Sequence, residues 1–184
     1  MVVAIILVLY VMLLGPSSKS SQIRRIASCG NNLKNIHVAL TTYSLTSKGG
    51  LPLVAGAKTS EAPLSELIPR YTTGSQYFIC PGGQDSALPD AQPFADRKIS
   101  YAYYMGRSLK DGAGEPVLSD RQVNTTPKLP GQPLFSADGA RPGNNHNKFG
   151  GNILFCDGAV QWSPASSAFT LTNPPDVLLL NPKP

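Results

Sequence analysis

The sequence is poor in the residues from which most metal sites and many active sites are built. Its 184 residues include two histidines, three cysteines and one tryptophan. The cysteines and histidines lack the paired spacing of a structural zinc site, and no serine lies in a nucleophile elbow. The sequence therefore gives little support to a metal-dependent or hydrolytic enzyme, and we expect no catalytic residue.

Acidic residues are absent from the first 60 positions, which carry six basic residues. Residues 61–184 hold ten basic residues against all eleven acidic ones, so their net charge is close to zero. This second part contains no basic run, and nucleic acid is therefore not an expected partner. A basic segment beside an apolar one suits anionic lipid headgroups, and the alternative is a solvated helix face.

The sequence also lacks an apolar run that is long enough by itself to cross a bilayer. It opens with the fourteen residues MVVAIILVLYVMLL. As a helix these would span about 21 Å, against roughly 30 Å of bilayer hydrocarbon. Gly15-Pro16 follows, and the proline predicts a kink.

From Ile23 onward the sequence is amphipathic. Apolar side chains recur at steps of three and four, which puts them on one stripe of a helix: Ile26, Cys29, Leu33, Ile36, Leu40 and Tyr43. The pair Gly49-Gly50 and the following Pro52 predict the end of this helix. We therefore predict that residues 1–48 form a stem helix with an apolar tip and an amphipathic stalk.

Seventeen glycines and seventeen prolines predict turns and short strands in the rest of the chain. A short helix is expected over residues 62–69. The predicted strands are 77–80, 99–104, 116–120, more weakly 134–137, and a hairpin over 152–162. The hairpin should turn at Asp157-Gly158, a dipeptide that favours a tight two-residue turn.

The sequence predicts an α+β fold in three parts. The stem helix of residues 1–48 is followed by a globular head over residues 49–162. Residues 163–184 are rich in proline and carry one apolar cluster, Val177–Leu180. We expect this last part to be an irregular tail that docks through the cluster.

Five spaced motifs occur in an order that resembles a known family. They are CGNNLKNI at 29–36 with Ala39-Leu40 and Tyr43, YFICP at 77–81, SYAY at 100–103, VLSD at 117–120, and His146 with GGNILF at 150–155 and DGAV at 157–160. Together they resemble bacterial prepilin-like proteins, the pseudopilins of the type II secretion and type IV pilus kind. The branch they resemble has a carboxy-terminal His…Asp-Gly signature, whose positions here are His146, Gly150, Gly151, Asp157 and Gly158.

The start of the sequence departs from this family. Its members usually begin with a short basic leader, a glycine cleavage site and a Phe-Thr-Leu-x-Glu opening. The family's membrane helix, from a point partway along its length, resembles residues 2–14, Pro16 and Lys19 of this sequence. We expect Met1 to be an internal start, with about ten missing residues that would bring the apolar span close to twenty. The alternative is a natural short form that is not processed.

The resemblance implies a pilin-like fold, in which the long amino-terminal helix packs on a small antiparallel sheet with a loop-rich head. It also implies a non-catalytic structural subunit with a single-pass anchor in the bacterial cytoplasmic membrane and its head outside the cytoplasm. Like subunits would assemble through their stems, and no small-molecule substrate is expected. The alternative is a membrane-tethered binding module that does not polymerise.

A head outside the cytoplasm would lie where disulfides persist. Cys29 and Cys80 would then join the stem to the head, and the alternative is two buried free thiols. Cys156 is expected to be a small core residue inside a hairpin strand. His37 is expected to pack at the interface between stem and head.

No cofactor is expected except a structural calcium ion, which some pseudopilins carry. The candidate ligands are the carboxylates of Asp120, Asp138 and Asp157, because calcium prefers oxygen. The alternative is that Asp157 makes the hairpin turn and the other two cap loops. His146 is expected to fix the loop before the glycine pair, and the alternative is a hydrolase in which Ser136 is the nucleophile.

Overall fold

A computed structural model describes residues 18–83, 85, 92–124, 128–170 and 173–184. The apolar tip and the predicted kink at Pro16 lie outside these residues. Among the residues that are described, no helix combines the length and the apolar character needed to cross a membrane.

The stalk of the predicted stem is the helix α1 (Ser18–Thr46). The centre of the predicted stripe is at most 1% exposed, at Cys29, Leu33, Ile36 and Leu40. The two ends of the stripe, Ile26 and Tyr43, are half-buried. Beyond the helix, Lys48 and Gly49 have φ angles of 56° and 92°. This left-handed backbone ends the helix where the glycine pair predicted.

The predicted small antiparallel sheet is also present, so the α+β class is confirmed. Its five strands are β1 (Tyr101–Met105), β2 (Pro116–Asp120), β3 (Gly151–Phe155), β4 (Val160–Ser163) and β5 (Leu178–Leu180). Their order across the sheet is β4-β3-β2-β1-β5, and every neighbouring pair is antiparallel. The predicted short helix begins with α2 (Glu61–Leu64) and continues as a 3₁₀ turn over Ser65–Leu67.

The core forms two layers, one on each face of the sheet. The larger layer packs α1 and α2 against the sheet and contains Tyr101, Tyr103 and Leu118. The smaller layer covers the opposite face with loop residues such as Phe135 and Phe169, which pack against Tyr104. Because β1 and β2 are buried along their whole length, they form the centre of the molecule.

The strand predicted at residues 77–80 is wrong, because Ser75–Phe78 forms a 3₁₀ helix. The backbone groups of this segment bond within the turn, to the stem and, at Phe78 O, to Ser100 N–H just before β1. Tyr77 N–H donates to Gly74 O at 3.1 Å, and Asn32 Nδ2 donates to Ile79 O at 2.9 Å. The weaker prediction at residues 134–137 is also wrong. Backbone groups there bond to three separate segments rather than to one neighbouring strand.

The hairpin of β3 and β4 is confirmed, but its turn is longer than predicted. Phe155 N–H donates to Ala159 O at 2.9 Å, which leaves a three-residue loop over 156–158. Gly158 closes the loop with a φ of 85°, a conformation that favours glycine. Cys156 is therefore a buried residue of the turn and does not lie inside a strand.

The carboxy-terminal segment contributes to the sheet, so the predicted irregular tail is wrong for residues 178–180. Strand β5 pairs with β1 and forms the sheet edge. Leu179 and Leu180 are buried, as the docking of the apolar cluster predicted. Further along, Lys183 N–H donates to Glu61 Oε1 at 2.8 Å, so the chain end is bonded to α2.

Candidate functional site

Several buried polar side chains meet where α1, β2 and β3 come together. Asp120 ends β2, and Asn152 lies at the start of the neighbouring strand β3. Asn145 and His146 come from the loop that precedes β3. All four side chains are at most 4% exposed, and those of Asp120 and His146 are completely buried. We call this group, together with the adjacent Cys29–Cys80 disulfide, the Asp120 cluster.

Asp120 is the acceptor at the centre of the cluster. Its Oδ1 accepts a hydrogen bond from Asn145 Nδ2 at 2.8 Å. Its Oδ2 accepts from the backbone N–H of Asn152 at 2.7 Å and lies 3.3 Å from His146 Nε2. Buried carboxylates are costly unless such donors replace water. These bonds therefore fix the loop of Asn145 and His146 against two strands.

The cluster also bonds the stem to the head. Asn152 Nδ2 donates to Ile26 O of α1 at 3.0 Å. Asn145 Nδ2 donates to Ser100 O, just before β1, at 2.8 Å. Because Asp120 holds both asparagines, one carboxylate organises contacts that reach the stem and three strands.

The predicted disulfide between Cys29 of α1 and Cys80 is present. It joins the buried stripe of the stem to the segment before β1. Cys80 Sγ lies 3.4 Å from His146 Nε2 and accepts the backbone N–H of Gly82 at 3.3 Å. The disulfide, the histidine and the carboxylate are therefore neighbours in one buried site.

Gly82 leaves the space that His146 occupies. A Cβ atom at position 82 would lie 2.6 Å from His146 Cε1 and 2.7 Å from Asn145 O, and both distances are too short. We expect Gly82→Ala to lower the free energy of unfolding by about 1–3 kcal/mol, because the added Cβ atom would force the completely buried His146 and the Asn145 backbone to shift. Gly114→Ala is the matched control, since nothing lies within 4 Å of its added Cβ atom. Urea unfolding of the two variants measures the difference, and equal stabilities would contradict this reading.

The signature glycines lie beside the same cluster. Gly150 has a φ of 112°, and a Cβ atom there would overlap the carbonyl oxygen of Ser163. A Cβ atom at Gly151 would lie 2.9 Å from Asp120 Cβ. These two glycines therefore allow β3 to begin directly against Asp120 and β4. Gly151 thus packs against the Asp120 cluster, and Gly150 packs against the end of β4 and the residues that follow it.

Asp157 and Gly158 lie in the β3–β4 turn, and this turn contacts the other histidine, His37. His37 Nε2 of α1 is 3.2 Å from the backbone oxygen of Cys156. Its ring also packs against Gly158, where a Cβ atom would come within 2.9 Å of His37 Cε1. The turn is thus a second contact between stem and head. It also contains Cys156, and burial raises the pKa of this thiol to about 11.

The structure places the three candidate calcium ligands in different surroundings. Asp120 is in the buried cluster, and Asp157 accepts the N–H of Ala159 at 2.9 Å within its own turn. Asp138 accepts bonds from Ala140 N–H and Ser136 Oγ, which lower its pKa. In the described part of the chain, the one close group of side chains that could bind a metal contains Asp120 but neither Asp138 nor Asp157.

Sequence reasoning did not find Asp120 as the partner of His146, nor the roles of Asn145 and Asn152. It considered Asp138 and Asp157 because they are near His146 in sequence. One signal was available: antiparallel neighbours place the end of one strand beside the start of the next. The carboxylate that ends β2 therefore lies next to the first residues of β3.

The outer side of α1 is also partly apolar. Ile23, Val38 and Leu45 are 59%, 64% and 80% exposed. Ile23 further lines an apolar groove of about 380 Å³ between the stem and the head, and Trp162 of β4 lines its opposite side. A contiguous exposed apolar patch marks an interaction site, and in this groove Ile23, Phe149 and Trp162 form one.

Three comparisons with known proteins were made. Neither a scan against protein-family models nor searches of curated proteins and of solved structures found a match to this chain. The pilin-like resemblance of the sequence motifs therefore stays a prediction.

Proposed function

We propose that this chain is a non-catalytic, pilin-like structural subunit that is anchored in the bacterial cytoplasmic membrane and assembles through its stem. The observation that carries the proposal is that α1 presents large apolar side chains on two sides. The inner face is buried against the head, and the outer face is exposed. A helix that served only to support its own head would need the inner face alone.

The exposed apolar side chains of α1 lie in one arc of the helix, which Lys34 and Thr41 share with them. At 3.6 residues per turn, Ile23, Val38 and Leu45 fall within about 60° of one another. This arc lies away from the centre of the buried stripe, and at Ile23 it borders the groove that Trp162 of the head also lines. The apolar run that precedes α1 in the sequence extends its apolar character toward the amino terminus. Stems of neighbouring subunits would bury both regions.

The contacts between stem and head suit a mechanical role. One covalent bond, Cys29–Cys80, joins them. Asn152 and His37 add hydrogen bonds at two further points along α1. In an assembly the stems would pack inside, and these contacts would hold each head in a fixed position outside.

Cross-linking between stems tests the proposal. We expect the double variant Ile23→Cys/Val38→Cys to form a ladder of oligomers when a short bismaleimide is added to membranes of the producing cell. Two cysteines are needed because a single one can link only pairs. The Cys156→Ser background removes the remaining free thiol of the described chain and leaves the disulfide intact.

The matched control is Leu53→Cys/Leu129→Cys in the same background. These two leucines are 64% and 53% exposed, close to the exposure of the stem pair, but they lie on the head. A ladder in the stem variant alone supports assembly through the stem. Monomers in both variants would favour the membrane-tethered module. Ladders in both would indicate that subunits are linked by random encounters in the membrane and would not support assembly through the stem.

A further inference from the structure

We propose that four buried side chains bind one zinc ion once the disulfide is reduced: Cys29, Cys80, Asp120 and His146. Each of them offers one ligand atom, and these four atoms all lie within 4.8 Å of one another. The sequence shows no zinc motif because the ligands come from four separate segments. This proposal does not depend on the proposed function.

The donor set is one that zinc uses. Thiolate sulfur, imidazole nitrogen and carboxylate oxygen bind zinc with four ligands in a tetrahedron. Zinc bonds of about 2.0–2.3 Å place such donors roughly 3.3–3.8 Å apart. His146 Nε2 lies 3.3 Å from Asp120 Oδ2 and 3.4 Å from Cys80 Sγ. Two edges of the tetrahedron therefore already have the required length.

Neighbouring groups would orient the ligands. The Asn152 backbone N–H donates to Asp120 Oδ2, and the Gly82 N–H donates to Cys80 Sγ, where it would stabilise a thiolate. Zinc at Nε2 requires the His146 proton on Nδ1. Asp120 Oδ2, 3.3 Å from Nε2, favours the proton on Nε2 while the disulfide is intact, so this proton would move to Nδ1 when zinc binds. Within the described part of the chain Nδ1 has no hydrogen-bond partner, and the ring would be oriented by its burial and by the zinc bond.

Formation of the site involves a balanced exchange of electrons and protons. A dithiol donates two electrons and two protons to the Cys29–Cys80 bond and itself becomes a disulfide. The sulfur–sulfur bond breaks and two thiols form. Zinc then displaces the two thiol protons into solvent and binds the thiolates. The same two sulfurs serve either state, so the stem is joined to the head by a disulfide or by the metal, but not by both.

Zinc titration of the full chain tests the site. In the Cys156→Ser background, the chain is reduced with a phosphine, desalted without oxygen and titrated with zinc against a chromophoric chelator. We expect one zinc ion per reduced chain and none per oxidised chain. Cobalt(II) in place of zinc should show the visible absorption of a tetrahedral site together with thiolate charge transfer.

The histidines provide a matched pair of variants. His146→Gln should weaken zinc binding at least about tenfold, because a ligand contributes more than the neighbouring groups that orient it. His37→Gln, on the other contact between stem and head, should leave it unchanged. Equal binding by both variants would overturn the proposal, since two cysteines alone would then explain it.

Circular dichroism of the reduced chain covers the case in which reduction unfolds it. Recovery of the native spectrum on addition of one equivalent of zinc supports the site, because a structural zinc ion binds the folded state. A reduced chain that stays unfolded with zinc, or stays folded and takes up none, overturns the proposal.

Discussion

Asp120→Ala is expected to lower the free energy of unfolding by about 3–5 kcal/mol, since it removes the acceptor of several buried donors. Asn145 Nδ2 and the backbone N–H of Asn152 donate to this carboxylate at 2.8 and 2.7 Å. The Asp120 side chain is completely buried, so bulk water does not replace it as an acceptor. Each donor left without an acceptor costs about 1–3 kcal/mol.

Asp120→Asn separates the chemistry of the carboxylate from its volume. The amide keeps one acceptor oxygen but turns an NH₂ group toward either Asn145 or Asn152, both of which are donors here. We therefore expect it to lose about half as much stability as Asp120→Ala. Asp138→Ala is the surface control, and its urea unfolding midpoint should be nearly unchanged. A wild-type midpoint for Asp120→Ala would mean that the cluster does not hold the fold together.

The parts of the fold that the sequence predicted correctly depend on local patterns. The stripe that contains Leu33 and Ile36 repeats at the helical period, so both α1 and its buried face could be read directly. Strands β1 and β2 and the β3–β4 hairpin were likewise found from short apolar runs and the Asp157-Gly158 turn. In each case neighbours in sequence are also neighbours in structure.

The errors occurred where distant contacts outweigh local preference. Tyr77 and Phe78 favour strands. Their segment is instead held in a turn by the bond that Tyr77 N–H donates to Gly74 O, by the bond that Asn32 donates to Ile79 O, and by the disulfide at Cys80. Strand β5 forms because the edge of β1 is available to it. In the Asp120 cluster, His146 contacts Cys80 although the two residues are 66 positions apart in sequence. No local sequence pattern predicts this contact.

Removing the disulfide is the other change with a large expected effect. Cys29→Ala/Cys80→Ala should destabilise the chain by roughly 4 kcal/mol, the chain-entropy value for a closed loop of this length. The two cysteines are 51 positions apart. In a chain of this size such a loss lowers the melting temperature by about 8–16 °C. Differential scanning calorimetry of the variant and the oxidised parent measures it.

Cys156→Ala is the control for this variant, because it also removes a buried sulfur but opens no loop. We expect this variant to lower the free energy of unfolding by about 1 kcal/mol. Equal losses in the two variants would show that the Cys29–Cys80 bond contributes packing alone. The reduced parent should melt near the double variant in the absence of metal. Zinc should then raise the melting temperature of the reduced parent and leave that of the double variant unchanged, because only the parent retains the sulfur ligands.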